Sequence, residues 1–207
     1  MKTLLALSFL CVFLFVAPPG TPAATLLTFD DFNLSPNDFV TIPNSYQGLG
    51  WSGFGMFNGS TAPESEGYRT GMVSPNNVAF NDDEYDRSAQ ISSSTPFNFD
   101  SAYMTAAFNN GMRVEVQGFV GTLLTYDNTY VLQETGPSFI NFNYTGVDVV
   151  NFNLPEGPDI WVMDNLTINA TPEPKTWTLL AAGVIGAGFG ALRKKVRRTG
   201  VHSEVPI

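Results

Sequence analysis

The chain has 207 residues, enough for one domain of ordinary size plus appendages. Its 43% apolar and 14% charged content belongs to a chain that folds, not to a disordered one. The net charge of −9 is unevenly spread: residues 25–174 hold three cations against eighteen carboxylates, a balance of −15. A body that acidic repels a phosphate backbone, which argues against nucleic acid as a partner.

In chain order, Met1-Lys2 is a short positive start and Leu4 to Val16 an uncharged apolar run. Pro18, Pro19 and Gly20 then break any helix, and Thr21-Pro22-Ala23-Ala24 offers small residues for cleavage. This is the layout of a secretory signal over 1–24, predicting an N-terminal signal helix and an exported chain. Cys11, the only cysteine, lies inside it, so a mature chain would have neither disulfide nor thiolate metal site.

Residues 25–170 read as an ectodomain of short strands. Phe is frequent, Lys is absent from 25–174, and that balance favours pleated surfaces over helices. Period-2 runs occur at Thr25–Phe32, Ala102–Phe108, Met112–Val120, Gly121–Tyr126, Phe139–Tyr144, Val150–Leu154 and Ile160–Ile168. In the last, Ile160, Val162, Leu166 and Ile168 share one parity. Turn signals separate the runs at Asn109-Asn110-Gly111, Tyr126-Asp127-Asn128, Thr135-Gly136-Pro137 and Pro155 to Pro158. The pattern predicts an all-β fold, a β-sandwich or jelly roll, with its first and last strands side by side.

After the body come Pro172-Glu173-Pro174 and then Thr176 to Leu192, seventeen residues without a charge. That length is at the short limit of a spanning helix, roughly 17–25 residues. Four glycines suit close packing in lipid, and Trp177 suits an interface. The five cations Arg193, Lys194, Lys195, Arg197 and Arg198 form a membrane-stop cluster, and a tail over 199–207 follows. Cations of that kind stay cytoplasmic, which puts 25–175 outside, in agreement with the leader.

The ordered set Pro172, Glu173, Pro174, Trp177, apolar helix 176–192 and basic cluster resembles the PEP-CTERM sorting signal of Gram-negative bacteria, over 171–198. The resemblance implies a protein held at the membrane and processed by an exosortase, a cysteine transpeptidase-like enzyme. It further implies a final place at the cell surface or in extracellular matrix, in association with exopolysaccharide or biofilm. Lys175 stands where the family has Ser or Thr, and the tail runs nine residues past the cluster. A permanent, uncleaved anchor is the alternative for this end. The segments TLLTFDDF, GLGWSGFGMFNG and WVMDNLTIN likewise resemble the jelly-roll ectodomains of such proteins, which are similar to carbohydrate-binding modules.

The body holds no His, Cys or Lys, which removes catalytic triads, Cys-His pairs, Schiff-base lysines and imidazole zinc ligands together. Asp82, Asp83, Glu84 and Asp86 leave a small secreted glycosidase as an alternative, since paired carboxylates about 5–9 Å apart cleave glycosides. Four acids within five residues of a polar stretch fit a solvated loop or a cation site better than a tuned acid/base pair, so the leading reading is non-enzymatic. No cofactor follows from the sequence except a structural Ca²⁺ held by Asp30, Asp31, Asp164 and Asn165, oxygen ligands on neighbouring strands. The competing reading has these side chains bonding backbone. Trp51, Phe54, Phe57 and Tyr68 are candidates for a sugar-stacking platform, with core packing as the competing reading.

Overall fold

The computed structural model describes residues 24–82 and 88–170. The leader, the Pro-Glu-Pro segment with Trp177, the apolar stretch 176–192 and the basic cluster lie outside these, as do Asp83, Glu84 and Asp86. Among the described residues no helix is long and apolar enough to cross a membrane.

The body is all-β and antiparallel. Its strands are β1 (Ala24–Leu27), β2 (Phe39–Thr41), β3 (Gly50–Ser52), β4 (Phe54–Asn58), β5 (Asn77–Asn81) and β6 (Ala89–Ala106), followed by β7 (Met112–Val120), β8 (Leu123–Leu132), β9 (Ser138–Asn153) and β10 (Trp161–Ala170). One four-residue helix, α1 (Gly67–Thr70), precedes β5. The main hydrogen-bonded path runs β2-β4-β5-β10-β6-β9-β7-β8, with β1 on β10 and β3 on β6. The first and last strands are indeed neighbours, Leu27 facing Leu166.

Two long strands turn this path into two layers. The second half of β6 pairs with β10, while its first half pairs with β3 through Trp51 and Ile91. The register of β6 on β9 breaks between Ser92 and Phe97, where Pro96 supplies no ladder donor. On β9 the matching break follows Tyr144, with Gly146 at φ 67°. Both strands therefore cross from one layer to the other, as bulged strands do at sheet corners. The first layer is β2, β4, β5, β10 and the inner halves of β6 and β9. The second is β3, the outer halves of β6 and β9, β7 and β8.

Aromatic rings fill the space between. Phe152 on the second layer meets Trp161 at 4.9 Å, Phe54 at 5.7 Å and Phe99 at 5.9 Å. Tyr126 on β8 stacks on Tyr144 at 4.5 Å, and both rings lie against Gly118, whose absent Cβ would come within 3.0 Å of each. A smaller cluster of Val78, Ala107 and Val162 forms on the other face of the first layer, packed by Phe57, Tyr68, Met72 and Ile160. Segment 59–76 thus covers part of that face.

Three sequence expectations change. The opening run ends as a strand at Leu27, not Phe32, because Phe29 takes φ 63° and turns the chain. Tyr126-Asp127-Asn128 is no turn but the middle of β8; the hairpin turns at Gly121-Thr122, with Val120 facing Leu123. Exposed strand β8 carries polar residues, so its composition imitated a loop. Last, Ile160 and Val162 do not share a face with Leu166 and Ile168. A bulge between Asp164 and Thr167 shifts the parity, so Trp161, Met163, Leu166 and Ile168 enter the main core.

Candidate functional site: a loop clamp and a polar cleft

The residues proposed as calcium ligands lie where three segments converge: the turn after β1, residues 73–77 before β5, and the β10 bulge. Phe29, Asn76 and Asn165 all sit at positive φ there. Asp164 is fully buried. Its Oδ2 accepts from the backbone N–H of Val73 at 2.7 Å and of Ser74 at 2.8 Å. Its Oδ1 accepts from Ser74 Oγ at 3.0 Å and from Asn165 N–H at 2.7 Å. Four donors thus fill the four lone-pair directions of one carboxylate. Burial pushes the Asp164 carboxyl above its ordinary value, and the hydrogen bonds from Ser74, Val73 and Asn165 pull against that.

The other acids turn elsewhere. Asp30 Oδ1 accepts from Asn77 N–H at 3.0 Å, while Asn77 Nδ2 donates to the carbonyls of Phe29 and Phe32. Asp31 accepts from the Tyr46 hydroxyl at 2.8 Å and from Gln47 Nε2 at 3.2 Å. Burial first, and then Asp31, raises the Tyr46 phenol well above its usual value. Among the described residues no group of three or more His, Cys, Asp or Glu gathers to hold a metal.

Asp30, Asp31, Asp164 and Asn165 therefore do not form one coordination sphere, and a cation at Asp164 would face N–H and O–H hydrogens. The residues present do not fit a bound Ca²⁺; they act as a hydrogen-bonded clamp on loops. Asn77 Oδ1 and Asn165 Oδ1 are buried without a protein partner, a situation buried water commonly relieves.

The four aromatic candidates separate. Trp51 and Phe54 are buried in the main core and leave no face for a sugar. Large rings gain most when buried, and Trp51 Nε1 satisfies itself by donating to the Tyr46 carbonyl at 2.9 Å. Phe57 and Tyr68 are half-buried, 4.7 Å apart, and Tyr68 also meets Phe108, which is 46% exposed. Two of the four thus border the surface, as part of the cover over the first layer.

A cleft that the sequence did not single out lies at the β3–β6 edge. Asn44, Ser45, Gly48, Leu49, Gly50 and Ser92–Ser94 line an open hollow of ≈ 500 Å³. A smaller one of ≈ 220 Å³, lined by Ser52, Ser88, Ala89, Gln90 and Asn151, lies beside the same two strands. Neither has a charged lining residue. The loop above is bent through Ser45 at φ 141°, Gln47 at 52° and Gly48 at 77°. It is held there by Trp51, whose N–H donates to Asn44 Oδ1 at 3.2 Å and whose ring is anchored in the core. Gly50 allows a close approach to β6: a Cβ there would stand 2.5 Å from Ser92 Oγ, and that hydroxyl would have to rotate away. A readable signal for the cleft was the hydroxyl run Ser92-Ser93-Ser94-Thr95 ahead of Pro96, on a strand about to leave its ladder.

No protein-family model matches the chain, and no curated protein matches it. Among solved structures it is similar to the K2 cleaved adhesin domain of Lys-gingipain (Kgp), at a TM-score of 0.42 and 14% identity. The likeness covers 71% of this chain and 99% of that one. A likeness at that level carries no argument about what this chain does.

Proposed function

We propose that this chain is an exported, non-enzymatic protein of a Gram-negative cell surface or extracellular matrix, sorted through a PEP-CTERM signal at 171–198. Its body is a β-sandwich of jelly-roll type with a structural or carbohydrate-associated role. The observation that carries this is the ordered set Pro172-Glu173-Pro174, Trp177, an uncharged seventeen-residue stretch and five clustered cations. Apolar residues of that length are more stable in lipid than in water, and cations at the end resist crossing.

The body supports the non-enzymatic part. Among the described residues, Asp164 and Asp100, the carboxyls raised by burial, are committed to structural hydrogen bonds, Asp100 to Asn169. Neither lines the polar cleft.

Deleting residues 172–207 tests the sorting reading. The shortened chain is expected to pass into the soluble periplasmic or culture fraction, while the full chain accumulates in the envelope. Identical fractionation of the two would contradict the address.

A further inference from the structure

We propose that the outer face of the second layer is a binding track for an uncharged, extended polysaccharide lying across the strands. The proposal rests on the carbohydrate-associated reading above and names its site and ligand class.

Strand alternation defines the face. Gln90 lies between buried Ala89 and Ile91, Asn151 between buried Val150 and Phe152, and Gln117 between buried Val116 and Gly118. Their own side chains therefore point outward. The ladder then brings them into line. Ser52 is directly opposite Gln90, Gln90 opposite Asn151, Asn151 opposite Gln117, and Gln117 opposite Asp127. Five strands thus present Ser, Gln, Asn, Gln and Asp in one transverse row. With strands about 4.8 Å apart, the row is about 19 Å long. Its repeat is close to the length of one pyranose unit in an extended chain.

The row is ordered before any ligand arrives. Gln90 Nε2 donates to Asn151 Oδ1 at 2.9 Å, and Asn153 Nδ2 donates to Gln117 Oε1 at 3.2 Å and Glu115 Oε2 at 3.0 Å. Each amide has two donors and two lone pairs, so these bonds fix the side chains while leaving hydrogen-bonding capacity for hydroxyls. Less side-chain freedom then remains to be lost on binding.

One step along the strands the chemistry changes. Gly50, Ser92, Val149, Phe119 and Leu124 are opposite one another in the adjoining row. Phe119 is half-buried and Leu124 is 42% exposed. A polar row with the apolar Val149, Phe119 and Leu124 along one side matches a sugar ring, which offers hydroxyls at its edge and C–H groups on its face. At the β3 end the row opens into the two uncharged hollows. The acidic body disfavours polyanions, so the complementarity is to a neutral polymer.

Affinity electrophoresis of the full chain in detergent, through gels containing hydroxyethyl cellulose, dextran or alginate, tests the track. Retardation is expected in a neutral gel, not in alginate, and independent of salt. The double variant Gln90→Ala/Asn151→Ala is expected to weaken it about tenfold, the loss of two hydrogen-bonding side chains. Phe139→Ala, on the first layer's outer face, is expected to leave it unchanged. Asn151→Asp keeps the shape and provides a second reading should the alanine pair disturb folding; it is expected to weaken retardation as well. Retardation that survives the row variants, or that only Phe139→Ala removes, overturns the track while leaving the carbohydrate reading intact. Equal retardation in alginate overturns the neutral-polymer assignment. Absence of retardation in all three gels overturns the track and the carbohydrate reading together, without touching the sorting reading.

Discussion

Asp164→Ala is expected to lower the unfolding free energy by about 4 kcal/mol, since a buried donor left without its acceptor costs about 1–3 kcal/mol. Three backbone N–H groups, of Val73, Ser74 and Asn165, and the Ser74 hydroxyl lose their common acceptor at once. Because stability typically totals only about 5–15 kcal/mol, the loss is a large share of it. The loop 73–77 should then loosen first, while the Ser74 hydroxyl turns to its remaining acceptor, the Thr28 carbonyl.

The same substitution has a pH signature. The Asp164 carboxyl is held above its ordinary value by burial, so the folded state binds its proton more tightly than the unfolded chain. That contribution is complete below the unfolded-state value and is lost as pH rises through the folded one. Urea midpoints between about pH 4 and 7 should therefore show the gap between wild type and variant widening toward acid. Asp100, also raised by burial, contributes with the same sign in both proteins and cancels from the gap. A gap that narrows toward acid would mean the four donors outweigh burial.

Phe152→Ala should cost about as much, roughly 3–5 kcal/mol, by a different route. Phe152 is fully buried and touches Phe54, Phe99 and Trp161, rings that come from three other strands of the first layer. Removing it leaves a cavity between the layers that four rigid strands cannot close. Chemical denaturation should show a lower midpoint with the slope unchanged, because the surface exposed on unfolding stays nearly the same. A loss under about 1 kcal/mol would mean the layers do not meet at this residue, and the two-layer description would fail.

How much of this was legible follows from local rules. The alternation of Met112, Val114 and Val116 with Arg113, Glu115 and Gln117 placed β7 and its inner face correctly, since no bulge interrupts it until Phe119. Phe139–Tyr144 and Val150–Leu154 were each read as strands, yet they are one strand, β9. Ile140, Phe142 and Tyr144 have the same parity as Val150, Phe152 and Leu154, so nothing in the sequence marks the bend at Gly146 or the passage into another layer. Asp164 illustrates the larger gap. Its oxygen chemistry was visible, whereas the donors that fill it come from Val73 and Ser74, some ninety residues away. The transverse row was hidden for the same reason: Ser52, Gln90, Asn151, Gln117 and Asp127 become neighbours only through register.

Intact-mass spectrometry of the native protein taken from its own envelope or matrix tests the central proposal most directly. The account predicts a mature species that starts near Ala24 or Thr25 and has lost the segment from the Pro-Glu-Pro region onward, including 176–198. A mature species that keeps residues 176–198 would contradict processing and leave a permanently anchored protein.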